Sequence, residues 1–125
     1  MAQPRVLVVD DDPDVLETLT WAVSRAGFEV DAHARFDLAK QVIRGNTPQG
    51  LVTDVRLGAF NGLQLAVLLR AVDARAPVVV ISAFDDPMIR RDAEAMGAVF
   101  LTKPVSAEQL GRHLQQLFDA AQQAG

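Results

Sequence analysis

The feature that most constrains this chain is a short apolar run that stops on acids, Arg5–Asp10 (RVLVVD), and the way runs of the same kind keep returning. Val6 to Val9 show no polar alternation, so neither face of the run is made for water and it reads as a strand covered on both sides. Such a strand needs parallel neighbours beside it and helices above and below. The next segment supplies the first helix. Asp12 is a cap residue, Pro13 takes the first helical position, and Val15, Leu16, Leu19, Ala22, Val23 and Ala26 form one apolar stripe that Gly27 closes.

The unit then repeats with different lettering. Phe28–Ala34 reads as a strand and Phe36–Arg44 as a helix with Phe36, Ala39, Val42 and Ile43 inward. After the turn-rich GNTPQG, Leu51–Val55 is a third strand, a loop covers Gly58 to Gly62, and an apolar helix runs from about Leu63 to Val72. Val78–Ser82 (VVVIS) is a fourth strand, with Asp86 and Pro87 repeating the cap-plus-proline start of a helix to about Met96. Val99–Thr102 is the fifth, and Ser106 with Gln109 resembles a capping box opening a last helix whose inward face is Leu110, Leu114, Leu117 and Phe118. Strands that alternate with helices in this way predict an α/β fold, a doubly wound five-stranded parallel sheet in the order 2-1-3-4-5 with five helices.

At 125 residues the chain is one domain, 1–125, with the ordered fold expected over about 4–120 and the polar stretch 119–125 as a tail or the start of a linker. Zero Cys removes disulfides, thiolate nucleophiles and sulfur-ligated zinc, which agrees with a reducing, cytoplasmic setting. The opening MAQPRVLVVD holds only a four-residue apolar run, too short for the core of a signal peptide, and no stretch approaches a membrane span. The net charge of -4 and a pI near 5.0, with no basic run interleaved with aromatics, argue against nucleic acid as a direct ligand. The acids are also unevenly placed. Setting aside Asp10, Asp11, Asp12, Asp14 and Asp54 leaves eleven against twelve Lys and Arg, so the acidity belongs to one place.

In a doubly wound sheet that place is defined in advance: ligands bind beyond the carboxyl ends of the strands, where the strand order reverses. The first strand ends on Asp10 and Asp11, the third on Asp54, the fourth on Ser82, and the fifth runs to Lys103 and Pro104. Carboxylates gathered so closely repel one another unless a divalent cation joins them, and an all-oxygen donor set suits Mg²⁺. With that cation, one carboxylate can act as nucleophile on a phosphoryl group while Lys103 and the Ser82 hydroxyl stabilise its oxygens. Lys103 is one of only two lysines, and a compact ammonium suits a phosphoryl oxygen.

VLVVDDD, TDVRLGAFNG, ISA and GAVFLTKP, in this order and spacing, resemble the receiver domain of two-component response regulators over essentially the whole chain. The resemblance implies the flavodoxin-like form of the fold, with Asp54 as phosphoacceptor, Asp10 and Asp11 as the acidic pair for Mg²⁺, and Asp54 as a further ligand of that ion. It further implies the Arg56 backbone carbonyl as a metal ligand, Ser82 as switch hydroxyl, Lys103 as the phosphate's partner, Phe100 as aromatic switch and a cis Lys103–Pro104 bond. By alternation alone Phe100 would be ordinary core. Gly58 and Asn61 depart from the family's usual Pro and Asp in the loop after the phosphoacceptor. Arg56 and Phe84 occupy two positions that tune phosphoryl lifetime, and both are bulky enough to hinder an attacking water. The implied activity is that of a signalling module, not an enzyme with its own substrate turnover. Its implied partners are a histidine kinase or histidine phosphotransfer protein and a downstream protein or second copy, with no membrane. Asp14, Val15, Thr18 and Trp21 on the first helix, with Pro104, are the expected docking residues, and the surface of helix 4, strand 5 and helix 5 the expected output.

Two alternatives share the residues. A haloacid dehalogenase-like Mg²⁺ phosphatase also uses an Asp nucleophile, but needs a second acid two residues on. Asp54 is followed there by Arg56, and Asp10 by Asp12, which the helix cap already claims. An unphosphorylated receiver-like interaction module would have no use for the intact set of Asp54, Ser82 and Lys103. His33 and His113 are expected at the surface, away from other ligand types.

Overall fold

The computed structural model describes residues 3–123, with the expected alternation. The sheet strands are β1 (Arg5–Val9), β2 (Glu29–His33), β3 (Gly50–Asp54), β4 (Val78–Ser82) and β5 (Val99–Thr102). The helices are α1 (Pro13–Arg25), α2 (Phe36–Gly45), α3 (Leu63–Val72), α4 (Pro87–Ala95) and α5 (Ala107–Gln123). All neighbouring strands are parallel, in the order β2-β1-β3-β4-β5.

The continuous apolar runs are explained by two cores, one on each face of the sheet. Leu7, Val9, Leu51, Val78, Val80 and Phe100 point toward α2, α3 and α4, where they meet Ile43, Leu65, Leu69 and Ala93. Val6, Val8, Val52, Val79, Ile81 and Leu101 point the other way, onto Leu19, Val23, Leu110 and Leu114 of α1 and α5. Because successive side chains alternate faces, only a strand apolar at every position can sit between two helix layers.

Caps fall where the sequence puts them. Asp12 Oδ1 accepts from the backbone N–H of Asp14 and Val15, and Asp86 Oδ1 from Met88 and Ile89. Ser106 Oγ accepts from Gln109 N. The last helix differs in length: α5 continues to Gln123, through most of the stretch expected as tail, because Ala and Gln hold a helix without burying anything. Ala124 and Gly125 lie outside the described residues.

His33 requires a correction. Its Nε2 lies 2.8 Å from Asp31 Oδ1, and Asp31 also receives Arg5 Nη1 at 3.1 Å. Two-residue alternation along β2 puts Asp31 and His33 on the same side of the strand, a proximity that their separation from the acidic cluster concealed.

Candidate functional site

The ladder itself delivers the functional side chains to one rim. Asp54 is the last residue of β3, opposite Ile81, and Ser82 the last of β4, opposite Thr102. Beyond the strands, Asp10 N donates to His33 O (3.3 Å) and Lys103 N to Ser82 O (2.8 Å), so both residues just past a strand end are held by the neighbouring strand. The Lys103–Pro104 peptide bond is cis.

Oxygen atoms of Asp10, Asp11 and Asp54 lie within 4.8 Å of one another. Asp10 is fully buried and Asp54 nearly so, whereas Asp11 is exposed. Lys103 Nζ sits 3.0 Å from Asp10 Oδ2 and 3.4 Å from Asp54 Oδ2. Asp10 Oδ1 accepts from Asp12 N. Asp11 Oδ2 accepts from Gly58 N at 3.3 Å. Burial, and then the Asp10 charge, push the Asp54 carboxyl above its ordinary value, against the pull of Lys103. Burial opposes the Lys103 ammonium too, but the two carboxylates outweigh it and raise its pKa. Two buried carboxylates and one exposed one, close together and offering only hard oxygen, suit a cation that keeps part of its water shell, as Mg²⁺ does.

Ser82 ends β4, the strand beside the one that carries Asp54. Its Oγ accepts from Phe84 N at 3.2 Å and it lines a cavity of about 620 Å³, together with Arg56, Asn61 and Phe84. Phe84 is exposed, and the Arg56 guanidinium lies 5.5 Å from its ring centroid. Phe100 is buried at 6% exposure. Asp14, Val15 and Thr18 line a second groove of about 510 Å³ with Lys103, Pro104 and Val105. Trp21 does not line it. It stands further along α1, 54% exposed, with the Arg25 guanidinium 5.0 Å from its ring.

The loop after Asp54 carries what sequence reasoning missed. Arg56–Leu57 and Phe60–Asn61 pair antiparallel around Gly58 and Ala59, with Gly58 at φ +62°, a left-handed turn position that glycine fills without strain. Phe60 stacks on Phe36 with centroids 4.5 Å apart. Asn61 Oδ1 accepts from Leu63 N, so Asn keeps the acceptor that the family's usual Asp would provide. Gly62 N donates to Val55 O at 2.7 Å, and a Cβ on Gly62 would stand 1.9 Å from the Asp54 carbonyl oxygen. A glycine just before an apolar helix was the one available signal for that contact.

The family model of the response regulator receiver domain matches residues 6–115. The chain belongs to that family. This receiver is 37% identical over 116 residues to the transcriptional regulatory protein PrrA of Mycobacterium tuberculosis, covering 90% of the chain and 49% of the relative. It is 34% identical over 113 residues to protein RcaC of Microchaete diplosiphon, covering 88% and 17%. It thus spans about half the length, or less, of these curated relatives. A response regulator receiver protein of Sinorhizobium medicae superposes with a TM-score of 0.87 at 27% identity, over 95% of this chain and 97% of that one. A CheY-like receiver domain protein of Methanospirillum hungatei gives 0.90 at 19% identity, over 99% and 100%, a likeness of fold alone. The receiver is a signalling module, and the dehalogenase-like alternative is not favoured. Among the described residues no helix is long and apolar enough to cross a membrane.

Proposed function

We propose that Asp54 accepts a phosphoryl group from a phosphohistidine on a histidine kinase or phosphotransfer protein, and that the resulting acyl phosphate switches the surface of α4, β5 and α5 for a downstream partner or a second copy. The observation that carries this is the Lys103 ammonium set between two buried carboxylates, 3.0 Å from Asp10 and 3.4 Å from Asp54. A half-buried cation at that spot is poised to stay with Asp54 when its carboxylate becomes an acyl phosphate.

In the transfer, an Asp54 oxygen bonds to phosphorus as the phosphorus–nitrogen bond breaks, and the imidazole nitrogen leaves with the electron pair. Asp10, Asp11, Asp54 and the Arg56 backbone carbonyl would hold Mg²⁺, which when bound supplies positive charge to the phosphoryl oxygens. Lys103 pairs with one phosphoryl oxygen. Ser82, freed from Phe84 N, donates its hydroxyl to another, and Phe100 turns as the second half of the switch.

The test is mass spectrometry of the chain incubated with acetyl phosphate and Mg²⁺. One phosphoryl adduct is expected, absent from Asp54→Asn; an adduct that survives in Asp54→Asn overturns the assignment. Adding a generic phosphomonoester distinguishes the phosphatase, for which steady turnover is required and here none is expected.

Arg56 and Phe84, 5.5 Å apart in the lining of the cavity, support a further expectation, that water reaches the acyl phosphate slowly. The lifetime of the purified phosphoprotein in Mg²⁺ should exceed that of fast-cycling chemotaxis regulators and should fall in Phe84→Ala. Decay within seconds in the unsubstituted chain would contradict this. For the donor protein, the groove of Asp14, Val15, Thr18 and Pro104 is the proposed seat, with the exposed Trp21 further along α1 as an additional contact. Buried aromatic anchors dominate such interfaces, so Trp21→Ala should slow phosphotransfer from the cognate kinase about tenfold while leaving uptake from acetyl phosphate unchanged.

A further inference from the structure

Arg90, on the first turn of α4, makes two contacts that join otherwise separate parts of the molecule. Its Nε and Nη2 both donate to Asp85 Oδ1, at 3.1 and 3.0 Å. Its Cζ lies 4.6 Å from the centroid of the Phe100 ring. Asp85 belongs to the loop that leaves Ser82, and the start of that loop is fixed by the bond from Phe84 N to Ser82 Oγ. Phe100 lies on β5 opposite Val80, two residues before Ser82 on β4, with its ring otherwise enclosed by the core. One guanidinium therefore closes a circuit from the Ser82 loop, through Asp85, to the face of the buried ring.

Arginine suits this place because its planar group can offer a π face to an aromatic ring and in-plane donors to a carboxylate together, which a lysine ammonium cannot reproduce. We infer that Arg90 is a positioning residue that couples the Ser82 loop to Phe100, holding both in the arrangement of the unphosphorylated chain. The inference rests on the proposed phosphoryl switch for its purpose, though not for its existence. When the Ser82 hydroxyl turns to a phosphoryl oxygen, its bond to Phe84 N is lost and the loop is free to carry Asp85 away from Arg90. The guanidinium then loses one of its two anchors, and the ring beneath it loses its lid. Each contact is weak alone, the ion pair being partly exposed to water, so the coupling amounts to a bias between two arrangements.

The experiment uses the unphosphorylated chain first. NMR of a ¹³C-phenylalanine-labelled sample, with Phe100→Leu to assign the ring, is recorded for Asp85→Asn, Arg90→Ala and the double variant. Asp85→Asn is expected to shift the Phe100 ring signals in the parent background and to leave them unmoved once Arg90 is already Ala. Equal shifts in both backgrounds, or none in either, overturn the inference. Arg90→Lys keeps the charge and the fold, and should behave as Arg90→Ala does if the planar group is what couples. A second arm measures uptake from acetyl phosphate, where Arg90→Ala should be about fivefold faster because a restraint of this size on the resting arrangement has gone. An unchanged or slower rate in a chain that is phosphorylated on Asp54 counts against the restraint. Coupling seen by NMR in a chain that takes up no phosphoryl group leaves the coupling standing and removes the proposed function.

Discussion

Replacing Gly62 by Ala is expected to lower the stability of the receiver by at least about 3 kcal/mol, the upper end of ordinary overpacking. The new Cβ would meet the Asp54 carbonyl oxygen at 1.9 Å and Thr53 Oγ1 at 2.6 Å. Neither can step aside cheaply. Thr53 Oγ1 already donates to that same carbonyl, and Gly62 N is bonded to Val55 O, so residues 53 to 55 and Gly62 form one closed contact. Backbone conformation is not the difficulty, since Gly62 sits at φ -60° and ψ -22°, where alanine is comfortable. The clash is steric, and it falls on the backbone of the proposed nucleophile. A displacement near 1 Å at a reacting group can cost about 100-fold in rate, so uptake from acetyl phosphate should fall by about that factor in whatever fraction stays folded. Thermal unfolding and the uptake rate, measured on the same preparation, check both halves. Gly45→Ala is the control: a Cβ there meets nothing within 4 Å, and stability should hold or rise slightly. If Gly62→Ala unfolds at the parent temperature and is phosphorylated at the parent rate, the packing around Asp54 is not the constraint described.

That contact also marks where the sequence stops being readable. Asp10, Asp54, Ser82 and Lys103 could be placed on one rim because each follows or ends an apolar run, and in a parallel sheet the run's end fixes the position within about one residue. Strand order followed from the crossover rules, and the caps Asp12, Asp86 and Ser106 from their side-chain chemistry. Residues 56 to 61 resisted, since two-residue strands are too short to show a period. Gly62 resisted for a different reason: its importance lies in a neighbour eight residues away at the end of another element. The same is true of Arg90, whose position on α4 gives a surface residue by pattern, while its partners Asp85 and Phe100 are fixed only by how β4 and β5 pair. Asp31 with His33 and Arg5 is a third case, where alternation along an edge strand collected charges that composition would scatter over the surface. What the sequence leaves dark, then, is chiefly the contacts made by side chains that reach sideways from one element to the next.

Lys103→Met is expected to destabilise the metal-free receiver by about 3 kcal/mol at neutral pH, the lower end for breaking a buried ion pair, because the lysine side chain keeps 23% of its exposure. The loss arises from what stays behind: Asp10 and Asp54 would face one another with no cation between them. In the parent, Asp54 already titrates above 3.8, chiefly through burial and then through Asp10. A carboxyl raised in the folded state gives stability when protonated and costs it when ionised, so the penalty is absent below 3.8 and complete above the folded value. Lys103, raised above 10.5, contributes stability that is whole below 10.5 and lost as pH rises through its folded value. Removing it takes away the pull that lowers the Asp54 pKa, so the penalty on ionised Asp54 deepens. The variant should therefore be closest to the parent in mild acid and fall away from it toward neutrality. Mg²⁺, in the proposed function, would act on the same carboxylates, and binding at about 100 times its Kd stabilises a folded protein by about 2.7 kcal/mol. The rise in Tm on adding Mg²⁺ should accordingly be larger in Lys103→Met than in the parent, and nearly absent in Asp54→Asn. Thermal melts at two pH values, with and without Mg²⁺, supply every comparison. A variant whose deficit is the same at both pH values and untouched by the cation would place the stabilising role of Lys103 in its packing, and the charge balance of the acidic rim would have to be explained without it.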